Sequence, residues 1–281
     1  MKKIITSILA AAAVFGFVSC NKSSGKSTEV VVKLGVTGSV YEDLWEPAQK
    51  ALKAQGINLK IVQFTDYVTP NNALANGEID LNGFQHRIFF ATEIKNKGYD
   101  ISLIGNTFLT PLNVYSNKIK SIDELKDGDV VAIPNDVTNG GRAIKVLESA
   151  GLITLKEDAG FNPTVNDIVG NPKNIVIKEL AANTIPSALN DVTAAAINGN
   201  YALDFNIDPK TAIVKDTLED KEYWNLIAAR TADLKDKEKV AVYDKIVKAY
   251  QSAATEDVYN NKFSGYYIKT GWGIDELEQY K

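Results

Sequence analysis

TPNNALANGEIDLNGF, residues 69–84, and TIPSALNDVTAAAIN, residues 184–198, follow one grammar: a proline, a short helix through Ala-Leu, an acidic turn, then a strand ending in Asn or Phe. Thr69 and Pro70 read as N-cap and first helical residue, the position where a missing N–H costs least. Thr184 and Pro186 open the second copy. Because the unit recurs, the chain is expected to hold two similar α/β halves, each presenting side chains from the end of a strand.

The flanking sequence supports this. Upstream of the first copy, VVVKLGV (30–36) is a continuous apolar run, as expected of a strand covered on both faces. YEDLWEPAQKALKAQG carries Leu44, Ala48 and Leu52 at helical spacing, with Gly56 as the stop. Pro47 is expected only near a first turn. INLKIVQF (57–64) and IDLNGF (79–84) read as the next two strands. This β-α-β-α-β order implies a parallel sheet. Around the second copy, DVVAIP (129–134), IVIKEL (175–180) and VTAAAIN (192–198) are strands, and TNGGRAIKVLESAGL opens a helix. WNLIAAR (224–230) is a returning strand, and a long amphipathic helix carries Tyr243, Ile246, Val247 and Tyr250. The fold class is therefore α/β, a two-lobe clamshell with a ligand cleft between the lobes. Residues 30–112 plus 223–281 form the first lobe and 113–222 the second. Ligands of parallel sheets sit outside the C-terminal strand ends, which puts Tyr67, Phe84 and His86 on the ligand side.

The N-terminus is read as a targeting segment. MKK followed by ILAAAAVFGFV is a basic n-region and an apolar h-region too short to span a bilayer. Residues 1–19 are the expected signal peptide. FVSC (17–20) resembles a bacterial lipobox with Phe17 in place of the more usual Leu, so Cys20 is the expected lipidation site and residues 20–29 a flexible tether. The protein is then expected in the bacterial cell envelope, held to the membrane by its lipid on the extracytoplasmic side. GKST at 25–28 is not a phosphate loop, because Cys20 stands where the first glycine belongs.

The 281 residues are 45% hydrophobic and 23% charged, with a net charge of −4, one His and one Cys. With no basic stripe, a nucleic-acid partner is not expected. One His and no Cys beyond the anchor cannot supply a nitrogen/sulfur zinc site. No G-x-S-x-G or H-E-x-x-H motif is present. Neither an enzyme nor a cofactor is expected.

Several side chains could build a binding site. Arg142, in TNGGRAI, is placed in the first turn of a helix after a polar turn with two glycines. There a cation opposes the helix dipole, so an anion clamp, more for a carboxylate than a phosphate, is weighed against an Arg paired with a nearby acid. Tyr67, Phe84, His86, Phe89 and Phe90 are either core or an aromatic box suited to a thioether or aliphatic chain. Asn198 is a strand-end amide, either a cap or a ligand contact. Asn225, in an apolar strand near the return crossing, is a hinge bond or a ligand contact. Asp66 reads as a turn and capping residue.

FTDYVTPNNALANGEIDLNGFQH, GNTFLTPLNVYSNKIKSIDELKDG, VAIPNDVTNGGRAI and NPKNIVIKEL closely resemble the methionine-binding lipoprotein (NlpA/MetQ) family, from about residue 31 to the C-terminus. The resemblance implies a type II periplasmic-binding-protein fold, a methionine ligand, and an ABC permease with its ATPase as partner. It also implies that Arg142 grips the ligand carboxylate, Asn225 and Asn198 make polar contacts, and Tyr67, Phe84 and His86 wall the side chain. The chain departs from the family at Phe89, in place of a tyrosine, and at Ile88, in place of a proline. Asn113 replaces a residue that is often small. Another apolar amino acid or a methionine-containing dipeptide stays open as ligand, as does an adhesin or interaction role.

Overall fold

A computed structural model describes residues 29–217 and 220–274. The expected signal peptide and Cys20 lie outside the described residues, as does the tether up to residue 28.

The chain begins with β1 (Val30–Thr37), α1 (Tyr41–Lys53), β2 (Ile57–Phe64), α2 (Thr69–Ala75), β3 (Leu81–Asn82), α3 (Arg87–Lys97) and β4 (Ile101–Asn106). It crosses through β5 (Phe108–Leu109) and enters β6 (Leu112–Tyr115), β7 (Val130–Pro134) and α4 (Val137–Ser149). Next come β8 (Thr154–Leu155), β9 (Ile168–Gly170), β10 (Val176–Leu180), α5 (Ile185–Ala188), β11 (Ala194–Asn198) and α6 (Gly199–Asp204). It then returns as β12 (Leu226–Arg230), α7 (Lys237–Tyr250), α8 (Ala253–Asn261) and β13 (Ile268–Lys269).

Two sheets carry the two lobes. The first has the order β2-β1-β3-β12-β4 and the second β10-β7-β11-β6. In each, the strands of the repeated grammar are parallel: β1 pairs with β2 and β3, and β7 with β10 and β11. The strands next to the crossings run the other way. β12 is antiparallel to β3 and β4, and β6 to β11, so both sheets are mixed rather than wholly parallel. A chain that crosses and comes back must enter the sheet from the opposite end, which explains the reversal.

The first core packs Leu34, Val36, Leu44, Trp45 and Leu52 against Ile246 and Tyr250. This burial carries α1 straight through Pro47, which lies in the helix interior and not near its first turn as expected. The second core packs Val131, Ile133, Ile144 and Leu147 with Leu112 and Val114.

Three local expectations need correction. α2 starts one residue early, with Thr69 already helical and the Asp66 carboxylate accepting from the Val68 and Thr69 amides at 2.8 Å each. Asp66 is thus the capping group. Only Leu81 and Asn82 of IDLNGF form a strand; beside it the side chains of Asn82, Asn71 and Gln85 close a buried amide triangle. α4 begins at Val137, so Thr138 to Gly141 are helix, not a turn. A Cβ on Gly140 would lie 2.7 Å from the Pro134 carbonyl oxygen, and one on Gly141 would lie 2.9 Å from the Asn162 backbone. The two glycines therefore let the helix approach its neighbours closely.

Candidate functional site

A cavity lies where the C-terminal ends of the parallel strands of both sheets meet. Tyr41, Tyr67, Phe84, Gln85, His86 and Phe89 line it from the first lobe. Asn139, Asn198 and Asn200 line it from the second, and Thr110 and Asn225 from the crossings.

The first-lobe side is aromatic. Tyr67 stacks on Phe84 at 6.0 Å between centroids, and Phe89 meets both edge-on at 6.2 and 6.1 Å. Edge-to-face geometry at this separation lets the rings attract one another and leaves polarizable faces toward the cavity rim. The Tyr67 hydroxyl reaches across to donate to Asn200 Oδ1 at 2.5 Å.

His86 is the N-cap of α3, and its Nδ1 accepts from the Phe89 amide at 3.2 Å. That bond leaves the proton of the neutral ring on Nε2, which donates to Asn139 Oδ1 at 3.3 Å. Its pKa is lowered from 6.5 to about 3, by burial first and the Arg142 charge second, against the opposing effect of the Asn139 bond. The ring is therefore neutral across the physiological range.

The second-lobe side is polar. Asp136 caps α4 and accepts from both the amide N–H and the side-chain Nδ2 of Asn139. With Asn139 so held, its Oδ1 faces Asn198, whose Nδ2 donates to it at 2.8 Å. Asn198 Oδ1 and Thr110 Oγ1 are buried without a hydrogen-bond partner among the described residues. A buried acceptor left so is costly, and here both face the one cavity.

Six sequence-predicted residues, Tyr67, Phe84, His86, Phe89, Asn198 and Asn225, share this cavity; Arg142 does not line it. Since α4 begins at Val137, Arg142 sits in the second turn, away from the free N–H groups of the helix mouth. Its guanidinium, 1% exposed, lies 4.2 Å from the Tyr223 ring centroid, and Nη2 comes within 2.6 Å of Asp216 Oδ2. That approach lacks the alignment of a hydrogen bond, so the contact is an ion pair, and neither Nε nor Nη2 has a hydrogen-bond acceptor among the described residues. Tyr223 also meets His86 edge-on at 5.8 Å, which leaves Arg142 one ring away from the cavity wall. Asn225 precedes β12 instead of lying within it. It makes an isolated bridge to His86.

Sequence reasoning missed Tyr41, Gln85, Thr110, Asn139 and Asn200. Asn139 was within reach of it: Asp136 is a favoured N-cap residue, and Asn139 falls at the third helical position, whose N–H such a cap accepts. Among the described residues there is no group of three or more His, Cys, Asp or Glu that could hold a metal ion, and no helix long and apolar enough to cross a membrane.

The family model for NlpA lipoprotein matches residues 32–271. The chain belongs to the NlpA lipoprotein family. Among relatives of this NlpA chain, the D-methionine-binding lipoprotein MetQ of Yersinia pestis is 46% identical over 248 residues, covering 86% of this chain and 88% of the relative. Outer membrane lipoprotein 3 of Mannheimia haemolytica is 41% identical over 274 residues, covering 95% and 99%. A nutrient binding protein from Burkholderia cenocepacia, solved bound to methionine, superposes with a TM-score of 0.80 at 41% identity, covering 85% of this chain and 100% of that one. The substrate binding protein of a methionine transporter from Streptococcus pneumoniae gives 0.81 at 32% identity, covering 86% and 96%. The fold is that of the periplasmic substrate-binding proteins of ABC transporters.

Proposed function

We propose that this chain is the substrate-binding lipoprotein of an ABC importer. It captures methionine, in the L form, by closure of the two lobes, and delivers it to a permease driven by an ATPase. Lipidation at Cys20 holds it on the extracytoplasmic side of the membrane. It has no catalytic role.

One observation carries the reading. A single small cavity joins an aromatic box from one lobe to an amide cluster from the other, with Asn198 Oδ1 and Thr110 Oγ1 buried and unpaired. An apolar thioether chain suits the first half. The second half suits an ammonium group, which needs acceptors, and Arg142 is assigned to the carboxylate. The names of the relatives support the ligand and its transport; that of the Yersinia pestis relative specifies the D enantiomer, so both forms belong in the test.

Methionine has about nine heavy atoms, so a best case of about 1.5 kcal/mol per atom caps binding near 13 kcal/mol, about nanomolar.

Calorimetric titration of the purified protein with L-methionine, D-methionine, leucine and a methionine-containing dipeptide tests this. Saturable binding of methionine at micromolar or tighter affinity is expected. Tighter binding of leucine or the dipeptide would reassign the ligand. If no compound binds and no small molecule co-purifies, an interaction lipoprotein becomes the better reading.

A further inference from the structure

Asn113 and Asp216 line no part of the cavity and lie beside the two crossings between the sheets. Asn113 belongs to β6, just after the first crossing, and Asp216 to the segment leading into the second. The Asp216 amide donates to Asn113 Oδ1 at 2.9 Å, and Asp216 Oδ2 accepts from the Leu112 amide, also at 2.9 Å. Asn113 is anchored in turn, its Nδ2 donating to the Tyr115 hydroxyl at 3.3 Å. One carboxylate thus stitches the outgoing and returning segments together. The same Oδ2 lies 2.6 Å from Arg142 Nη2, with the two side chains 1% and 0% exposed. Tyr223, in the second crossing, closes the other side of the guanidinium at 4.2 Å.

We propose that Asp216, seated by Asn113, is the positioning residue that holds Arg142 one ring from the cavity wall and ties that guanidinium to both crossings between the lobes, so that the grip of Arg142 on the ligand carboxylate depends on Asp216. The proposal rests on the reading that methionine is held through Arg142. A long, flexible cation loses binding strength if it must first be ordered, and a buried carboxylate partner orders it in advance. The partner also makes burial of the guanidinium tolerable in the ligand-free protein. Arg142 Nε still lacks an acceptor among the described residues, so the ion pair does not exhaust its capacity. Asn113, which replaces a residue that is often small in the family, gains a role here: its amide oxygen sets the Asp216 backbone.

The test compares methionine with methioninol, in which a hydroxymethyl group replaces the carboxylate. Wild-type protein is expected to bind methionine far more tightly. Asp216→Asn keeps the shape and removes the charge. It is expected to weaken methionine about 30-fold and methioninol by less than about 3-fold, so that the ratio of the two collapses. Asn113→Ala keeps the ion pair and is expected to weaken methionine about 5-fold in the same selective way. If Asp216→Asn fails to fold, as judged by circular dichroism, Asn113→Ala carries the comparison. Equal weakening of both compounds would show a structural staple only and overturn the proposal, as would an unchanged ratio or a wild type that does not distinguish them. A wild type that binds neither compound overturns the methionine reading itself, a separate outcome.

Discussion

The two lobes use the same device, a strand end feeding a helix N-terminus, and use its polar atoms differently. After β3, His86 caps α3 through Nδ1, and the neighbouring Asn71, Asn82 and Gln85 satisfy one another in a buried triangle. After β11, Asn198 occupies the N-cap position of α6, yet its side chain caps nothing. Its Nδ2 goes to Asn139 and its Oδ1 stays unpaired. The first lobe thus locks its amide triangle locally, sends only the Tyr67 hydroxyl and His86 Nε2 across to Asn200 and Asn139, and turns an aromatic wall to the cavity. The second keeps hydrogen-bonding capacity in reserve. A preformed wall selects by shape, whereas an unpaired acceptor selects by the chemistry of what arrives.

The contrast is best broken at Arg142. Arg142→Ala leaves the Asp216 carboxylate buried without its cation, at a cost of about 3–5 kcal/mol in stability. Thermal denaturation should show a large drop in Tm, and calorimetry a loss of methionine binding of more than about 100-fold. Unchanged affinity would remove Arg142 from ligand recognition.

Asn198→Ala should cost about 1–3 kcal/mol of binding, and it should act on the head group. Norleucine and methionine, which share that head group, should weaken equally. A change in their ratio would mean that the second lobe also reads the side chain.

A pH titration sharpens the first-lobe side. His86 is held neutral, with its pKa lowered from 6.5 to about 3 by burial first and by Arg142 second. Below pH 6.5 the unfolded chain protonates this ring and the folded one does not. The contribution of neutral His86 is thus complete above about 6.5 and is lost as pH falls toward about 3, at a limiting slope of about 1.4 kcal/mol per pH unit. His86→Asn, which can still cap the helix, should flatten this acid limb in pH-dependent denaturation. A wild type and variant with parallel limbs would show that His86 titrates normally.

The smallest effect is expected at Phe89→Tyr, which restores the hydroxyl implied by the family resemblance. Phe89 is only 7% exposed, and its edge contacts with Tyr67 and Phe84 persist in a tyrosine. The change in methionine affinity should stay within about 1 kcal/mol, and a larger gain would assign the missing hydroxyl to the ligand.

Much of the fold was legible because its signals are local. Apolar runs, Pro at helix starts and the repeated unit at 69–84 and 184–198 each report on a few adjacent residues, and the strands and helices fall close to where they were read. The aromatic box was legible for the same reason, since Phe84, His86 and Phe89 leave one strand end together. Arg142 was not. Reading TNGG as a turn put it at a helix mouth, but Gly140 and Gly141 are helical glycines spared for close packing. Asp216, Tyr223 and Thr110 carried no local signal either.

The sequence by itself determined the two-lobe α/β plan and the strand ends at which the cavity lies, because hydrophobic period and turn chemistry act over neighbouring residues. Only the tertiary structure decided which polar atoms are spent. Whether Asn198 caps its own helix, whether Arg142 stands free or pairs with Asp216, and which nitrogen of His86 carries the proton all depend on groups far away in the chain. Burial makes those choices matter, since each unpaired polar atom removed from water is expensive, and burial is a property of the assembled cores.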